Sequence, residues 1–180
     1  MKLIVTVGMP GSGKDELVEV ARSMGLATLK MGDLVREETR RRGLPLSNSN
    51  VARIANEERE KHGAGIWAQR ALPRLTETKM LVDGARSNME LDVFRHNFGD
   101  FFVLAIFASP ETRHGRLMQR GRGDDGASFQ DSYDRDRREL KWGIGEAFTM
   151  ADGMLVNEGS IPEFREAARR KLLEILDRET

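Results

Sequence analysis

The chain has 180 residues, with 29 basic side chains against 29 acidic ones and no cysteine. That length accommodates one α/β domain with a proper core, and the charge balance provides no global field toward nucleic acid or a membrane surface. The lack of cysteine excludes a disulfide framework, a thiol nucleophile and thiolate metal ligation.

The first residues are interrupted too soon for a signal peptide and no apolar run is long enough to span a bilayer, so a soluble cytoplasmic protein is expected. Residues 2–7 form a β-branched run ending at Gly8, the pattern of a buried strand. Residues 14–24 carry Leu17, Val18, Val20 and Ala21 at helical spacing, with Gly25 suited to the stop. A second strand is predicted at 26–31 and a helix at 34–42. Polar helices follow at 47–62 and 66–78, the latter kinked or broken at Pro73. Further strands are expected at 79–82, 100–108 and 153–157, separated by helices at 88–97, 110–119 and 130–150 and followed by one at 162–177. Alternation of this kind argues for a mostly parallel sheet covered on both faces. Composition shifts over 40–74 and 121–138, charged and poor in strand-formers, read as insertions into one domain.

Gly8-Met9-Pro10-Gly11-Ser12-Gly13-Lys14 fits the G-x-x-x-x-G-K pattern between a predicted strand and a predicted helix, the context that motif requires. Glycines let backbone N–H groups converge on phosphate oxygens, the helix N-terminus adds its dipole, and Lys14 supplies a charge between the β- and γ-phosphates. The next position usually holds Ser or Thr for Mg2+, but here it is Asp15. As a hard-cation ligand, Asp15 implies strongly metal-dependent nucleotide affinity; as a first-turn acid it simply complements the helix dipole.

Met31-Gly32-Asp33-Leu34-Val35-Arg36 stands at a strand end, where ligands bind in open α/β sheets. Asp33 alone reads as an N-cap. Together with the phosphate loop, however, this segment resembles adenylate kinase and its relatives in order and spacing. The resemblance implies that Arg36 binds acceptor phosphate. It extends to Asp83-Gly84-Ala85-Arg86, which looks like that family's Asp-Gly-x-x-Arg segment shortened by one residue. It implies that Asp83 organises Mg2+ and that Arg86 grips the acceptor.

Ala108-Ser109-Pro110-Glu111-Thr112-Arg113, followed by Arg116, Arg120 and Arg122, is similar to the helix and lid of dephospho-coenzyme A kinases and nucleotide kinases. Arg113, Arg116 and Arg120 recur at helical spacing, and phosphoryl transfer needs such cations because charge spreads over the γ-phosphoryl oxygens. Arg120, Arg122 and Arg138 are the catalytic candidates beside Lys14. Ala151-Asp152-Gly153-Met154-Leu155-Val156-Asn157-Glu158-Gly159-Ser160 resembles the last strand and loop of dephospho-coenzyme A kinases, which implies that Asn157, Glu158 and Gly159 frame the base. Ser160 also reads as a helix N-cap. His62, His96 and His114 lack metal-ligand spacing, and Trp67 and Trp142 read as packing.

The whole chain resembles an archaeal P-loop kinase-like family of unassigned substrate. The expected fold is a P-loop nucleoside triphosphate hydrolase fold: α/β, with a five-stranded parallel sheet in order 2-3-1-4-5 and helices on both faces. One domain over 1–180 is expected, with core 1–38, 75–120 and 139–180, an acceptor-binding helical insertion at 39–74 and a lid at 121–138. The expected activity uses ATP and Mg2+ to phosphorylate a small nucleotide, foremost a nucleoside monophosphate. Transfer to a hydroxyl, with Asp33 as substrate-binding base, is the alternative enzyme reading, and an ATP-binding switch or slow ATPase acting as an assembly factor is the alternative of another class. A small-molecule partner is expected, not a membrane or a nucleic acid.

Overall fold

The computed structural model describes residues 1–120 and 128–178. Five strands lie parallel: β1 (Lys2–Val7), β2 (Ala27–Lys30), β3 (Lys79–Ala85), β4 (Asp100–Phe107) and β5 (Gly153–Val156). Their order is β2-β3-β1-β4-β5, as the sequence predicts. The helices are α1 (Lys14–Ser23), α2 (Met31–Arg41), α3 (Asn48–His62), α4 (Ile66–Ala71), α5 (Asn88–Asn97), α6 (Pro110–Arg120), α7 (Phe129–Lys141), α8 (Ile144–Thr149) and α9 (Ile161–Asp177). No helix among the described residues is long and apolar enough to cross a membrane.

Side chains of a strand alternate between faces, and β1 is apolar on both. Leu3, Val5 and Val7 join Trp67, Leu91 and Phe94 in the layer built by α2, α3, α4 and α5. Ile4 joins Leu17, Val18 and Leu172 in the layer of α1 and α9. Burial on both faces is why β1 is apolar at successive positions from Leu3 to Val5. The 39–74 segment contributes Ile54, Ala55 and Trp67 to the first layer.

Chain connections leave β1 toward β2 and β3 on one side, while β4 and β5 lie on the other. The crevice at the carboxyl end of β1 is therefore the topological switch point where such sheets bind ligands. Serine side chains start the helices around it. Ser87, Ser128 and Ser160 each accept a hydrogen bond from the backbone N–H three residues on, and at Ser128 and Ser160 the acid at that position bonds back.

Four boundaries differ from expectation. The 130–150 helix is two helices, because Gly143 at φ 97° ends α7 and begins α8. The 66–78 segment breaks at Pro73 as expected, but it ends there, in a 3-10 turn over Leu72–Arg74, and 75–78 are not helical. α2 starts at Met31, so Asp33 sits inside its first turn and Lys30, not Asp33, is the cap residue. β3 continues to Ala85 through a bulge in which Thr6 faces Asp83 and Val7 faces Ala85, carrying Asp83 into the sheet.

Phe94 is fully buried between the sheet and the helices. Phe94→Ala is expected to lower unfolding free energy by about 3–5 kcal/mol, read as a lower urea midpoint at unchanged slope.

Candidate phosphate-binding site

β1 delivers the chain to Gly8, and α1 begins six residues later at Lys14. Between them the loop is clamped by side chains from distant segments. Arg113 donates to the Pro10 carbonyl at 3.1 Å, and Asn157 Nδ2 donates to the Ser12 carbonyl at 2.9 Å. A trans peptide holds C=O and N–H on opposite sides, so these two bonds aim the N–H groups of Gly11 and Gly13 the other way. Both glycines line the cleft described below. They also have positive φ, 80° and 105°, and a Cβ at Gly13 would lie 2.1 Å from Asn157 Nδ2. No other residue fits there without moving the clamp.

Lys14 Nζ donates to the Gly8 and Met9 carbonyls at 2.6 and 3.0 Å. Burial lowers its pKa to about 8; Asp83 works against that shift, and Arg86 and Arg135 reinforce it. Asp83 itself is fixed by a 2.7 Å bond from Thr6 Oγ1, which in turn accepts from the Gly84 N–H.

The loop opens into a cleft of about 640 Å³. Among the described residues its lining carries seven cations, Lys14, Lys30, Arg36, Arg86, Arg116, Arg120 and Arg135, against five carboxylates, Asp15, Glu16, Asp33, Asp83 and Glu139. The excess of positive charge at a helix N-terminus suits a polyanion. A smaller cavity of about 60 Å³ adjoins it and shares Arg36, Arg86, Arg135 and Glu139.

The cations of the cleft are held by identifiable partners. Arg36 bonds Asp33 at 3.1 Å, and Arg86 pairs with Glu139. Burial, with Arg135 and Arg59 nearby, lowers the Arg86 pKa to about 9, which leaves it charged at neutral pH. Arg116 donates to the backbone and side-chain oxygens of Asn157 at 3.1 and 3.3 Å. Arg120 donates to Asp15 Oδ2 at 3.1 Å, while Lys30 donates to Asp15 Oδ1 at 2.6 Å.

The donor set can be tested for a metal ion. Asp83 fits: its carboxylate lines the cleft, with one oxygen anchored by Thr6. Asp15 fits less well, since both its oxygens are engaged by cations. Among the described residues no group of three or more His, Cys, Asp and Glu side chains converges as a metal site.

Residues 7–131 match the family described as an AAA domain. A UPF0200 protein of Thermoplasma volcanium is 41% identical over 173 residues, covering 96% of this chain and 97% of that one. The chain belongs to the UPF0200 family. A UPF0200/UPF0201 protein of Archaeoglobus fulgidus is 44% identical over 97% of this chain, which spans only 56% of that longer protein. Among solved structures, a gluconokinase from Sinorhizobium meliloti superposes with TM-score 0.60 at 17% identity, covering 97% of this chain and 95% of that one. A shikimate kinase from Acinetobacter baumannii in complex with shikimate gives TM-score 0.60 at 18% identity over 98% and 93%. At such identities the likeness establishes the fold, which is P-loop kinase-like.

The predicted site residues distribute as follows in this UPF0200 chain. Gly8, Pro10, Gly11, Gly13, Lys14, Asp15, Asp33, Arg36, Asp83, Arg86, Arg120 and Asn157 line the one cleft. Met9 contributes its carbonyl to Lys14, and Ser12 is buried in the loop. Asn157 uses its side chain, N–H and carbonyl on Ser12, Phe107 and Arg116, so its groups hold the loop in place. Glu158 accepts from Ser109 and Thr112 at the start of α6, and Gly159 leads into the Ser160 cap. Arg138 faces the smaller cavity, 3.4 Å from Asn48, and Arg135 of the same helix faces the main cleft. Arg122, with residues 121–127 of the expected lid, lies outside the described residues.

Arg113, one of the arginines at helical spacing for which pairing with acids such as Asp136 is expected, does clasp Asp136 of α7 at 2.6 Å, and His114 joins it at 3.0 Å. Lys30 and Glu139 went unnoticed in the sequence. Lys30 carried a signal, because it ends β2 at the sheet edge where ligands bind; Glu139 carried none.

Lowering of the Lys14 pKa has a definite sign. Between about 8 and the ordinary lysine value the unfolded chain binds the extra proton, so stability rises with pH across that window. The wild-type minus Lys14→Met difference in unfolding free energy should climb by about 1–3 kcal/mol from pH 8 to 10.5. Over the same rise, calorimetric affinity of the wild type for triphosphate should fall as the ammonium is lost.

Proposed function

We propose that this protein is a cytoplasmic P-loop nucleotide kinase that uses Mg-ATP to phosphorylate a small nucleotide, foremost a nucleoside monophosphate. The supporting observation is how the cations divide. Lys14, Arg116 and Arg120 border the phosphate loop, whereas Arg36, Arg86 and Arg135 line both the main cleft and the adjoining cavity. Two anionic substrates meeting end to end require cations in both places.

In this reading the loop N–H groups and Lys14 hold the triphosphate, and Arg120 neutralises the transferred group. Arg36 and Arg86 grip the acceptor phosphate, which is already nucleophilic and needs no base. A magnesium ion held through Asp83 and substrate phosphates would neutralise charge at the transferred group. Segment 39–74 is assigned to the acceptor, and segment 121–138 to a lid over the nucleotide.

A second enzyme reading has a specific observation in its favour. Asp33 lines the cleft beside Arg36, where a base for an acceptor hydroxyl would stand. The structural neighbours gluconokinase and shikimate kinase are compatible with that reading by name.

An acceptor panel with ATP and Mg2+ separates the possibilities: nucleoside monophosphates, deoxynucleotides and dephospho-coenzyme A, with water as control. Nucleoside monophosphate should be phosphorylated at least about tenfold faster than ATP is hydrolysed. Hydrolysis alone would favour the switch or slow ATPase. Arg36→Ala should raise the acceptor KM about tenfold while changing the ATP KM much less. Asp33→Asn should leave kcat within about threefold for a phosphate acceptor, but lower it about 10²–10⁴-fold for a hydroxyl.

A further inference from the structure

Position 15 follows the phosphate-loop lysine, where a hydroxyl ordinarily meets the metal. Here its carboxylate spans the cleft instead. Oδ1 is 2.6 Å from Lys30 Nζ at the carboxyl end of β2, and Oδ2 is 3.1 Å from Arg120 Nη1 at the end of α6. β2 leads directly into α2, which carries Arg36 on the acceptor side; α6 runs back along the phosphate loop through Arg116 and Arg113. The carboxylate therefore joins a cation from the end of β2 to a cation from the end of α6, one on each oxygen. All three side chains line the cleft with Lys14.

Resting on the nucleotide reading above, we infer that Asp15 is an anchor for two phosphate-contacting cations, Lys30 and Arg120, and not a metal ligand. Lys30 is thus a phosphate-binding residue, and Asp15 is a positioning residue that acts through it and through Arg120. An ammonium and a guanidinium on long stems lose rotamer freedom when they bind an anion. Fixing them beforehand on one carboxylate removes part of that loss and holds both beside the phosphate loop, where nucleotide phosphates bind. A metal ligand at the same position would have to release both cations first, and each charge-assisted bond opposes that release.

ADP is the probe, bound by the intact protein in calorimetry with either Mg2+ or EDTA, so that no turnover is involved. The variants are Asp15→Asn, Lys30→Met, Lys30→Arg and the Asp15→Asn/Lys30→Met double mutant. The ratio of affinities with and without Mg2+ should stay within about threefold of wild type in Asp15→Asn, because charge effects common to both conditions cancel in the ratio. Lys30→Met should weaken ADP binding at least about fivefold in the wild-type background and by a smaller but still measurable factor, about twofold, in the Asp15→Asn background, where Lys30 has lost its anchor, and Lys30→Arg should restore it. A collapse of the metal ratio by about tenfold or more in Asp15→Asn would make Asp15 a ligand and overturn the inference. Loss of the Lys30→Met effect in the Asp15→Asn background would reduce Lys30 to a neutraliser of Asp15, and would overturn it equally. Failure of phosphoryl transfer to every acceptor would sink the kinase reading while leaving these binding ratios to decide this one. A wild type that binds no ADP would remove both.

Discussion

The trans peptide plane is the constraint on which the site depends. Once Arg113 holds the Pro10 carbonyl and Asn157 holds the Ser12 carbonyl, the N–H groups of Gly11 and Gly13 have one direction left. The residues that hold them lie far downstream, in α6 and just after β5. A loop of glycines near the N-terminus is therefore made rigid by the second half of the chain. Asn157 is itself gripped by Arg116 and paired to the end of β4 through its N–H. The chemistry at β1 thus rests on strand order, because β4 and β5 must lie beside β1 for the clamps to reach.

A second consequence is that the cleft is an assembly of ion pairs as much as a hole. Asp33 holds Arg36, Glu139 holds Arg86, Asp15 holds Lys30 and Arg120, and Asp136 holds Arg113 with His114. Desolvating such pairs costs about as much as their attraction returns, so they add little net stability. What they add is position. Arg86 also lies 5.3 Å from the centre of the Trp142 ring, whose other cation is Arg59 at 4.5 Å, so the guanidinium is fixed by stacking as well as by charge.

Parts of this design are legible in the sequence because they rest on short-range periodicity. The apolar runs of β1, β3 and β4, the glycine spacing from Gly8 to Lys14, and the Ser160 cap are all local, and they point to the strand order and the loop. The misses have a different origin. Arg135 and Arg138 are three residues apart on one charged helix, and the sequence cannot say which turns to the cleft until Asp136 is docked on Arg113. Asn157 reads as a residue near the base, and nothing local shows that its side chain also clamps a loop 145 positions away. The break at Gly143 hides inside a pattern that remains helical on both sides, since a single glycine is tolerated in many helices.

Asp33 and Arg36 show how far geometry narrows the chemistry. The carboxylate of Asp33 is ion-paired at 3.1 Å with the arginine proposed for the acceptor, so a substrate that takes either group weakens that contact. An acceptor phosphate would compete with Asp33 for the guanidinium, and an acceptor hydroxyl would compete with Arg36 for the carboxylate. The two substrates thus pull the same pair apart from opposite ends. A phosphate gains a bidentate partner and leaves an acid exposed at the cleft rim, where water can solvate it. A hydroxyl takes the acid and leaves an arginine beside Arg86 and Arg135 with less negative charge to balance it. Among the described residues the cleft is richer in cations than in acids; an anionic acceptor phosphate lowers that imbalance and a neutral hydroxyl leaves it unchanged, and this is the physical ground for ranking the phosphate acceptor first.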